Sequence, residues 1–551
     1  MMQKNCKKCS ADFEIMESDL EFYKKISPKI NGEIFEVPAP TFCPDCRQQR
    51  RLSFRNERNL YKRKCDATGE NIISIYSPDK KLKVYNSDFW WSDKWDALDY
   101  WKDFDFNKSF FKQFYELNIE VPKLGIINKN SEGSDYTHLC ANNRDCYLLI
   151  ESSDNEKCLY SYWIQKCNYC LDSSFSSNCE VCYNIDNCFD CYKLFNSKDC
   201  DGSSNSNYLN NCKNCEFCFN CTDLDWKKYF INNLEFSKEK YFEEIEKIKI
   251  TTEDKNKLFN YKTNQIKNSQ NCNWNYIFNS NNCDNCFCAE NSENSKNSSN
   301  LFRNAKNVYD CNTVWMDSEL IYESLNTAIS SFKNLFCNRC WTVNNSFYSD
   351  NCDNSSNLFW CIWLKNKEYC VFNKQYTKEE YNKLVPKIIE KMQKTWEWWE
   401  FFPSSISPFW YNETVAQEYF SLTKNEILEQ WFNYSEYESE FPKVEKIIPA
   451  DKLPENIWDI PDDILNWAIK CEVSEKPFRI ISQELDFYRK HNISVPKKHP
   501  DIRHLERMKL RNPRKLFDRK CDKCSCDIKT TYSPDRKEIV ICENCYEKEV
   551  Y

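Results

Sequence analysis

Two stretches, Phe236 to Lys267 and Tyr376 to Trp399, carry apolar residues at helical spacing. Each opens on a hydroxyl residue where an N-cap belongs, Ser237 and Thr377, with acidic residues following. Elsewhere the pattern is different. From Cys140 to Cys221 every cysteine is separated from the next by a multiple of three residues, and positions recur every 21 residues. Cys146, Cys167 and Cys188 make one column, Cys158, Cys179, Cys200 and Cys221 a second, and Cys170, Cys191 and Cys212 a third. Columns at a short fixed period predict a solenoid whose coils bury their faces only by stacking on one another. Steps of three match neither the strand period of two nor the helical 3.6, so they are read as straddling corners, and the strand layout stays open.

Such a solenoid needs many turns, and the chain has five glycines in 551 residues. Asparagine tolerates the left-handed region better than most residues, so its pairs are expected to form the corners and to ladder along the outside. Codon bias toward Asn, Lys, Tyr, Phe and Ile would give the same abundance.

The pattern is duplicated twice over. Phe42–Cys65 aligns without gaps on Lys498–Cys521, with eleven of twenty-four positions identical, and Leu20–Lys25 and Tyr76–Lys81 face Leu485–Lys490 and Tyr532–Lys537. The two ends are copies of one module. Between them, Asp145–Tyr147 matches Asn285–Phe287, Cys200 matches Cys340, Cys212 matches Cys352, Cys221 matches Cys361, and Asn233–Tyr241 matches Asn373–Tyr381, an offset of 140 residues. The middle is therefore two tandem units; in the second, the gap from Cys311 to Cys337 breaks the threefold register.

The expected organisation is an N-terminal zinc-ribbon module (1–88), an aromatic cap (89–129) and solenoid unit one (130–222). A helical insertion (223–269), unit two (270–373), a helical segment (374–402), a linker or strap (403–470) and a C-terminal zinc-ribbon module (471–551) follow. The fold class is mainly β with α insertions: a duplicated, cysteine-rich, β-solenoid-like centre flanked by ribbons.

Composition narrows the class of function. An aromatic content of 16% excludes a disordered chain although 29% of residues are charged. No apolar run approaches the ~18 residues of a membrane span, and no signal segment precedes the first cysteine motif, so the expected setting is the cytoplasm. There the 35 cysteines read as metal ligands or small core residues before disulfides. The central pairs, such as Cys179/Cys182 and Cys188/Cys191, read as core, with further metal as the alternative.

Two sets of four cysteines have metal-ligand spacing. Cys521, Cys524, Cys542 and Cys545 form two C-x-x-C pairs around two alternating stretches and a Ser-Pro-Asp turn, the layout of a zinc ribbon, with Cys526 a spare that could trade places with Cys521 or Cys524. Cys6, Cys9, Cys43 and Cys46 form the other set. Cys6, Cys9, Phe13, Glu21, Phe22, Tyr23, Cys43, Cys46 and Arg47 resemble the pattern of a zinc-ribbon domain family over about fifty residues, and 471–510 does so more weakly because ligands are missing. The overall layout also resembles large cysteine-rich proteins of candidate-phylum bacteria. These resemblances imply zinc and a binding role, and no activity.

The copies keep different sites: Cys471, Ser474, His499 and Ile502 face the first set, and Cys65, Thr68, Asn86 and Phe89 face the second. All-cysteine coordination leaves no open position for a catalytic water, so two structural zinc ions are expected. Phosphate-loop, dinucleotide and zinc-protease motifs are absent, and His138 near Cys140 is a weak dyad, so no enzyme is expected.

Arg47, Arg51, Arg55 and Arg58 fall on one helical face, and Arg503, Arg507, Arg511 and Arg514 repeat it. A stripe kept in both copies suits phosphate contacts, so RNA or a ribonucleoprotein is the expected partner; salt bridges to the chain's own acids are the competing use. A protein-binding or self-associating scaffold is the alternative function, metal storage comes last, and a small-molecule substrate or a membrane is not expected.

Overall fold

The computed structural model describes residues 2–248, 261–262, 264–438, 441, 443–536 and 538–550. Its centre is built from one local rule. In the first unit every third residue occupies the left-handed region, as at Asn142 (φ 55°), Asp145 (φ 53°) and Leu148 (φ 51°). The residue before each corner pairs in parallel with the residue one coil on, as in Glu132 with Arg144, Asp135 with Tyr147, His138 with Ile150 and Ala141 with Ser153. The residue after each corner, such as Cys140, Cys146 or Leu149, points inward and is buried. Four three-residue sides thus close a coil, and the step of three in the sequence is one side.

The stacking period is 12 residues, not 21, because Tyr162 pairs with Ser174 and Leu171 with Tyr183. Cys146, Cys158, Cys170 and Cys182 share one inward column, at the separation of 12 seen between Cys158 N–H and Cys146 Sγ. Steps of 21 combine one coil with three further sides, so the columns expected from the sequence run diagonally across the true ones.

Each left-handed corner carries about 1–2 kcal/mol of strain in a residue with a Cβ. Asparagine offsets part of it by laddering: Asn142 Nδ2 donates to Asp154 (2.9 Å), Asn178 to Asp190 (3.0 Å), Asn184 to Asn196 (3.0 Å) and Asn187 to Asp199 (2.7 Å). Gly133 sits where a Cβ would lie 2.7 Å from Asp145 Oδ1. Asparagine is the commonest corner residue and does ladder along the outside, but Tyr136, Leu148, Lys157 and Trp163 show that other side chains fill many corners, so the expectation holds in part.

The second unit has the same construction with longer coils in its middle. Trp274 pairs with Cys286 and Phe332 with Asn344, but Lys306 pairs with Glu319 and Val314 with Thr327, a step of 13. The extra residue is absorbed where two left-handed residues adjoin, at Arg303–Asn304, Met316–Asp317 and Ile329–Ser330. Ser298, Cys311, Ser324 and Cys337 then form one column joined across 13-residue coils, so the Cys311–Cys337 gap is two such coils.

Helices close the C-terminal end of each unit. Ser237 caps helix Lys238–Lys247, whose Tyr241 lies against Cys218 and Cys221. Thr377 and Glu380 form a capping box on helix Lys378–Lys394, whose Tyr381 lies against Cys361 and Cys370. The first helix is shorter than the sequence suggests: Tyr261–Lys262 and Ile266–Lys267 are strands, and 249–260 and 263 lie outside the described residues. The aromatic segment clads a flank of the second unit and reaches its last coil, where Lys102 N–H donates to the Phe372 carbonyl at 3.1 Å and Asn373 Nδ2 donates to the Ala97 carbonyl at 3.0 Å. Tyr348, Trp360 and Phe372 are successive corners of one column, and Phe110, Phe114 and Phe104 pack onto it. From 403 on, the chain is a packed strap of short helices such as Val415–Tyr419 and Lys424–Glu429, burying Tyr411, Ile427 and Phe432. No helix among the described residues is long and apolar enough to cross a membrane.

Candidate metal centres and the buried arginine stripes

Cys6 follows the first strand of a hairpin, Met2–Asn5 with Asp12–Ile15, and Cys43 caps the helix Pro44–Leu52, whose first turn carries Cys46. This brings four sulfurs together: the Sγ atoms of Cys6, Cys9, Cys43 and Cys46 all lie within 4.8 Å of one another, and Cys9 and Cys43 are 3.6 Å apart. A tetrahedron with ~2.3 Å metal–sulfur bonds has edges of about 3.8 Å, so the donor set fits a four-thiolate ion. The Cys43 N–H donates to Cys6 Sγ at 3.2 Å, and the hydrogen bond from Cys46, opposed by burial, draws the Cys43 thiol down to about 5.

The C-terminal set repeats this construction on the hairpin Phe517–Lys520 with Asp527–Thr530 and the helix Glu543–Val550. Cys521, Cys524, Cys542 and Cys545 also converge within 4.8 Å, with Cys524 and Cys542 3.7 Å apart. Burial disfavours the Cys521 thiolate, but the N–H groups of Cys524, Cys542 and Lys523 outweigh it and bring the pKa to about 6. Two tetra-cysteine groups able to hold metal are thus present where the sequence placed them.

The matching knuckles at Cys65 and Cys471 keep the turn with only one of the four cysteines. Cys471 Sγ accepts from the N–H groups of Val473, Ser474 and His499 at 3.2–3.4 Å, as Cys65 Sγ accepts from Asn86 at 3.3 Å. These knuckles keep the backbone geometry of the metal groups without a full set of four cysteines.

The arginine stripes are inside the molecule, which corrects the expectation of a phosphate-facing surface. Arg47 lies 2.9 Å from Asp310, Arg50 lies 2.8 Å from Glu323 and 2.6 Å from Glu400, and Arg51, fully buried, lies 3.4 Å from Glu323 and 3.1 Å from Asn312. Arg55 pairs with Glu57 and with Glu151 of the first unit, and also reaches Thr313 of the second. Arg58, half-buried, lies 3.5 Å from Asp501 of the other module.

The second stripe does the same on the other unit. Arg503 and Arg507 grip the two oxygens of Asp172 at 2.5 and 2.8 Å, and Arg507 also donates to the carbonyl of Tyr160 at 3.2 Å. Arg511 lies 3.5 Å from Asp186 of the first unit and 3.1 Å from Cys288 Sγ of the second, and Arg514 donates to Ser299 at 3.1 Å. A guanidinium suits this role because its fork engages two acceptors at once and stays charged when buried.

Aromatic pairs complete the docking, and the sequence reading missed them. Phe22 stacks on Tyr309 at 3.8 Å and Tyr23 meets Tyr322 at 5.4 Å; in the other copy Phe487 meets Tyr169 at 5.1 Å and Tyr488 meets Tyr183 at 6.0 Å. The first module therefore seats mainly on the second unit, and the last module grips the first. The Phe-Tyr element shared by both copies was the available signal.

The central thiols behave as core. Cys158 Sγ donates to the carbonyls of Glu156 (3.3 Å) and Cys167 (3.4 Å), and Cys179 to those of Ser177 and Cys188 (both 3.4 Å). Among the described residues only the two terminal groups gather ligands closely enough for a metal. Cys140 Sγ donates to the carbonyls of His138 and Leu149 and is pushed up to about 12 by burial, while burial lowers His138 to about 3. His138 Nδ1 accepts from Ile127 N–H at 3.1 Å, so these neighbours form no thiol–imidazole dyad. No protein-family model matches this chain, and no curated protein matches its sequence.

Proposed function

We propose that this protein is a non-catalytic scaffold of a reducing compartment, with one structural zinc ion in each terminal tetra-cysteine group and other proteins as partners along its solenoid flanks. The observation that carries this reading is the destination of the arginines. The RNA reading rests on the same guanidiniums, and these are committed to Asp310, Glu323, Glu151, Asp172 and Asp186 within the chain. Four cysteine donors at each metal group saturate a zinc ion, which favours structure over hydrolysis. Unpaired thiols throughout the chain accord with a reducing setting.

The test combines metal content with RNA retention. Two zinc ions per chain, no iron, and RNA retention indifferent to Arg47→Ala and Arg507→Ala are expected. Salt-sensitive RNA binding that these substitutions weaken would restore the nucleic-acid reading, and more than two ions per chain would return the central thiols to metal chemistry.

A further inference from the structure

The four knuckles of this chain share one backbone hydrogen bond, and they differ in the residue at its accepting end. In each, the N–H of the first cysteine donates to the carbonyl five residues on: Cys6 to Ala11 (2.9 Å), Cys65 to Glu70 (2.8 Å), Cys471 to Lys476 (3.0 Å) and Cys521 to Cys526 (2.8 Å). The preceding residue is left-handed in both metal knuckles, Ser10 and Ser525 each at φ 61°. The C-terminal knuckle alone places a thiol at this fifth position. Cys526 Sγ lies 3.4 Å from Cys524 Sγ, closer than the 3.7 Å between the ligands Cys524 and Cys542.

The two groups also differ in access. At the N-terminal group Cys6, Cys43 and Cys46 are buried and Cys9 is exposed; at the C-terminal group Cys521 is buried, Cys524 is exposed, Cys542 and Cys545 are half-buried, and the fifth thiol, Cys526, is exposed. Zinc has no preferred geometry from its d electrons and passes through five-coordination readily, so a thiol beside a ligand offers a low route for substitution.

We propose that the C-terminal group is an exchangeable zinc site, with Cys526 as the incoming ligand, while the N-terminal group gives up its ion more slowly. This rests on the zinc reading above. In the exchange step a bond forms between Cys526 sulfur and the metal and the bond to Cys524 sulfur breaks. The freed thiolate takes a proton from water, the incoming thiol having lost one, and no electron moves. Because Cys524 and Cys526 are both exposed, either could hold an ion while a thiolate or chelating acceptor displaced the other, so that the ion would pass to the acceptor one bond at a time.

The experiment uses the zinc-loaded full chain under native reducing conditions, mixed with excess 4-(2-pyridylazo)resorcinol and followed by absorbance. Total zinc is first measured after denaturation; a value below two per chain overturns the metal reading itself, and the exchange proposal with it. With two ions present, release in two phases of equal amplitude is expected. Cys526→Ala should slow the fast phase by about tenfold or more without changing its amplitude. Ala11→Cys, which installs the fifth thiol at the exposed matching position, should accelerate the slow phase. Release of both ions at one rate, or a fast phase unchanged by Cys526→Ala, overturns the proposal while leaving the structural zinc reading intact.

Discussion

Glu323 is the acid on which the first module hangs, and its replacement by glutamine is the sharpest test of the docking scheme. The side chain is 1% exposed and faces three guanidiniums, Arg50 at 2.8 Å, Arg51 at 3.4 Å and Arg47 at 3.9 Å. Glu323→Gln keeps the shape and removes the charge. Breaking a buried pair from one side costs about 3–5 kcal/mol, because the orphaned charge stays desolvated. Asp310 and Glu400 remain to compensate Arg47 and Arg50, so the lower end, about 3 kcal/mol, is expected. That is a factor of roughly 10² in the opening of the module. Native-state hydrogen exchange at the amides of helix Pro44–Leu52 reads it directly. Glu156→Gln is the control, since its pair with Arg144 at 2.6 Å lies on the solvated surface and should leave the protection of that helix unchanged. Equal loss of protection in the two variants, or a change below about fivefold for Glu323→Gln, would refute the claim that these ion pairs hold the module in place.

Asp172→Asn should loosen helix Pro500–Leu510 in the same assay and leave Pro44–Leu52 unchanged, because Arg503 and Arg507 both depend on that carboxylate. Burial raises Glu413 from 4.5 to about 7 against the hydrogen bonds from Tyr61 and Trp410. Its stabilisation is therefore complete below the ordinary carboxyl range and lost as pH rises toward 7. Between pH 5 and 7.5 the thermal midpoint should fall less in Glu413→Gln than in the parent, and parallel curves would contradict this. After metal removal, Ellman's reagent should modify Cys9, Cys272, Cys524, Cys526, Cys542 and Cys545 first, and the solenoid thiols only on denaturation; early reaction of Cys170 or Cys182 would show an open core. Cys170→Ser should cost about 1 kcal/mol or less by urea denaturation, since Ser206 fills the same column and donates to Ser204 O at 2.7 Å, whereas Cys170→Phe should cost about 1–3 kcal/mol.

What could be read from the sequence was what local spacing encodes. The metal ligands sit in short knuckles, so Cys521, Cys524, Cys542 and Cys545 declare themselves, and the stacked cysteines declare a solenoid. The coil period did not, because intervals of 12 and 9 are both multiples of three and columns drawn through Cys146, Cys167 and Cys188 look as regular as the true ones. The arginines misled for a different reason. Their spacing on a helix says which face they share and nothing about what covers it, and Arg51 finds Glu323 across 272 residues of chain. The acids that receive them, Asp310, Glu323 and Asp172, are left-handed corners in a chain where asparagine is the commonest residue at such positions. A carboxylate in such a place was the hint available.

The seating of the first module on the second unit sets an order of events during synthesis. The ribosome releases Arg47, Arg50 and Arg51 long before it makes Asp310 and Glu323, so this module must wait, solvated and unseated, until the acids it docks on have been made. Glu400, the last acid in that cluster, emerges later still. A nascent chain stalled short of residue 323 would expose a basic face that the finished protein hides, and any quality-control factor that recognises arginine-rich helices would meet this protein only while it is incomplete.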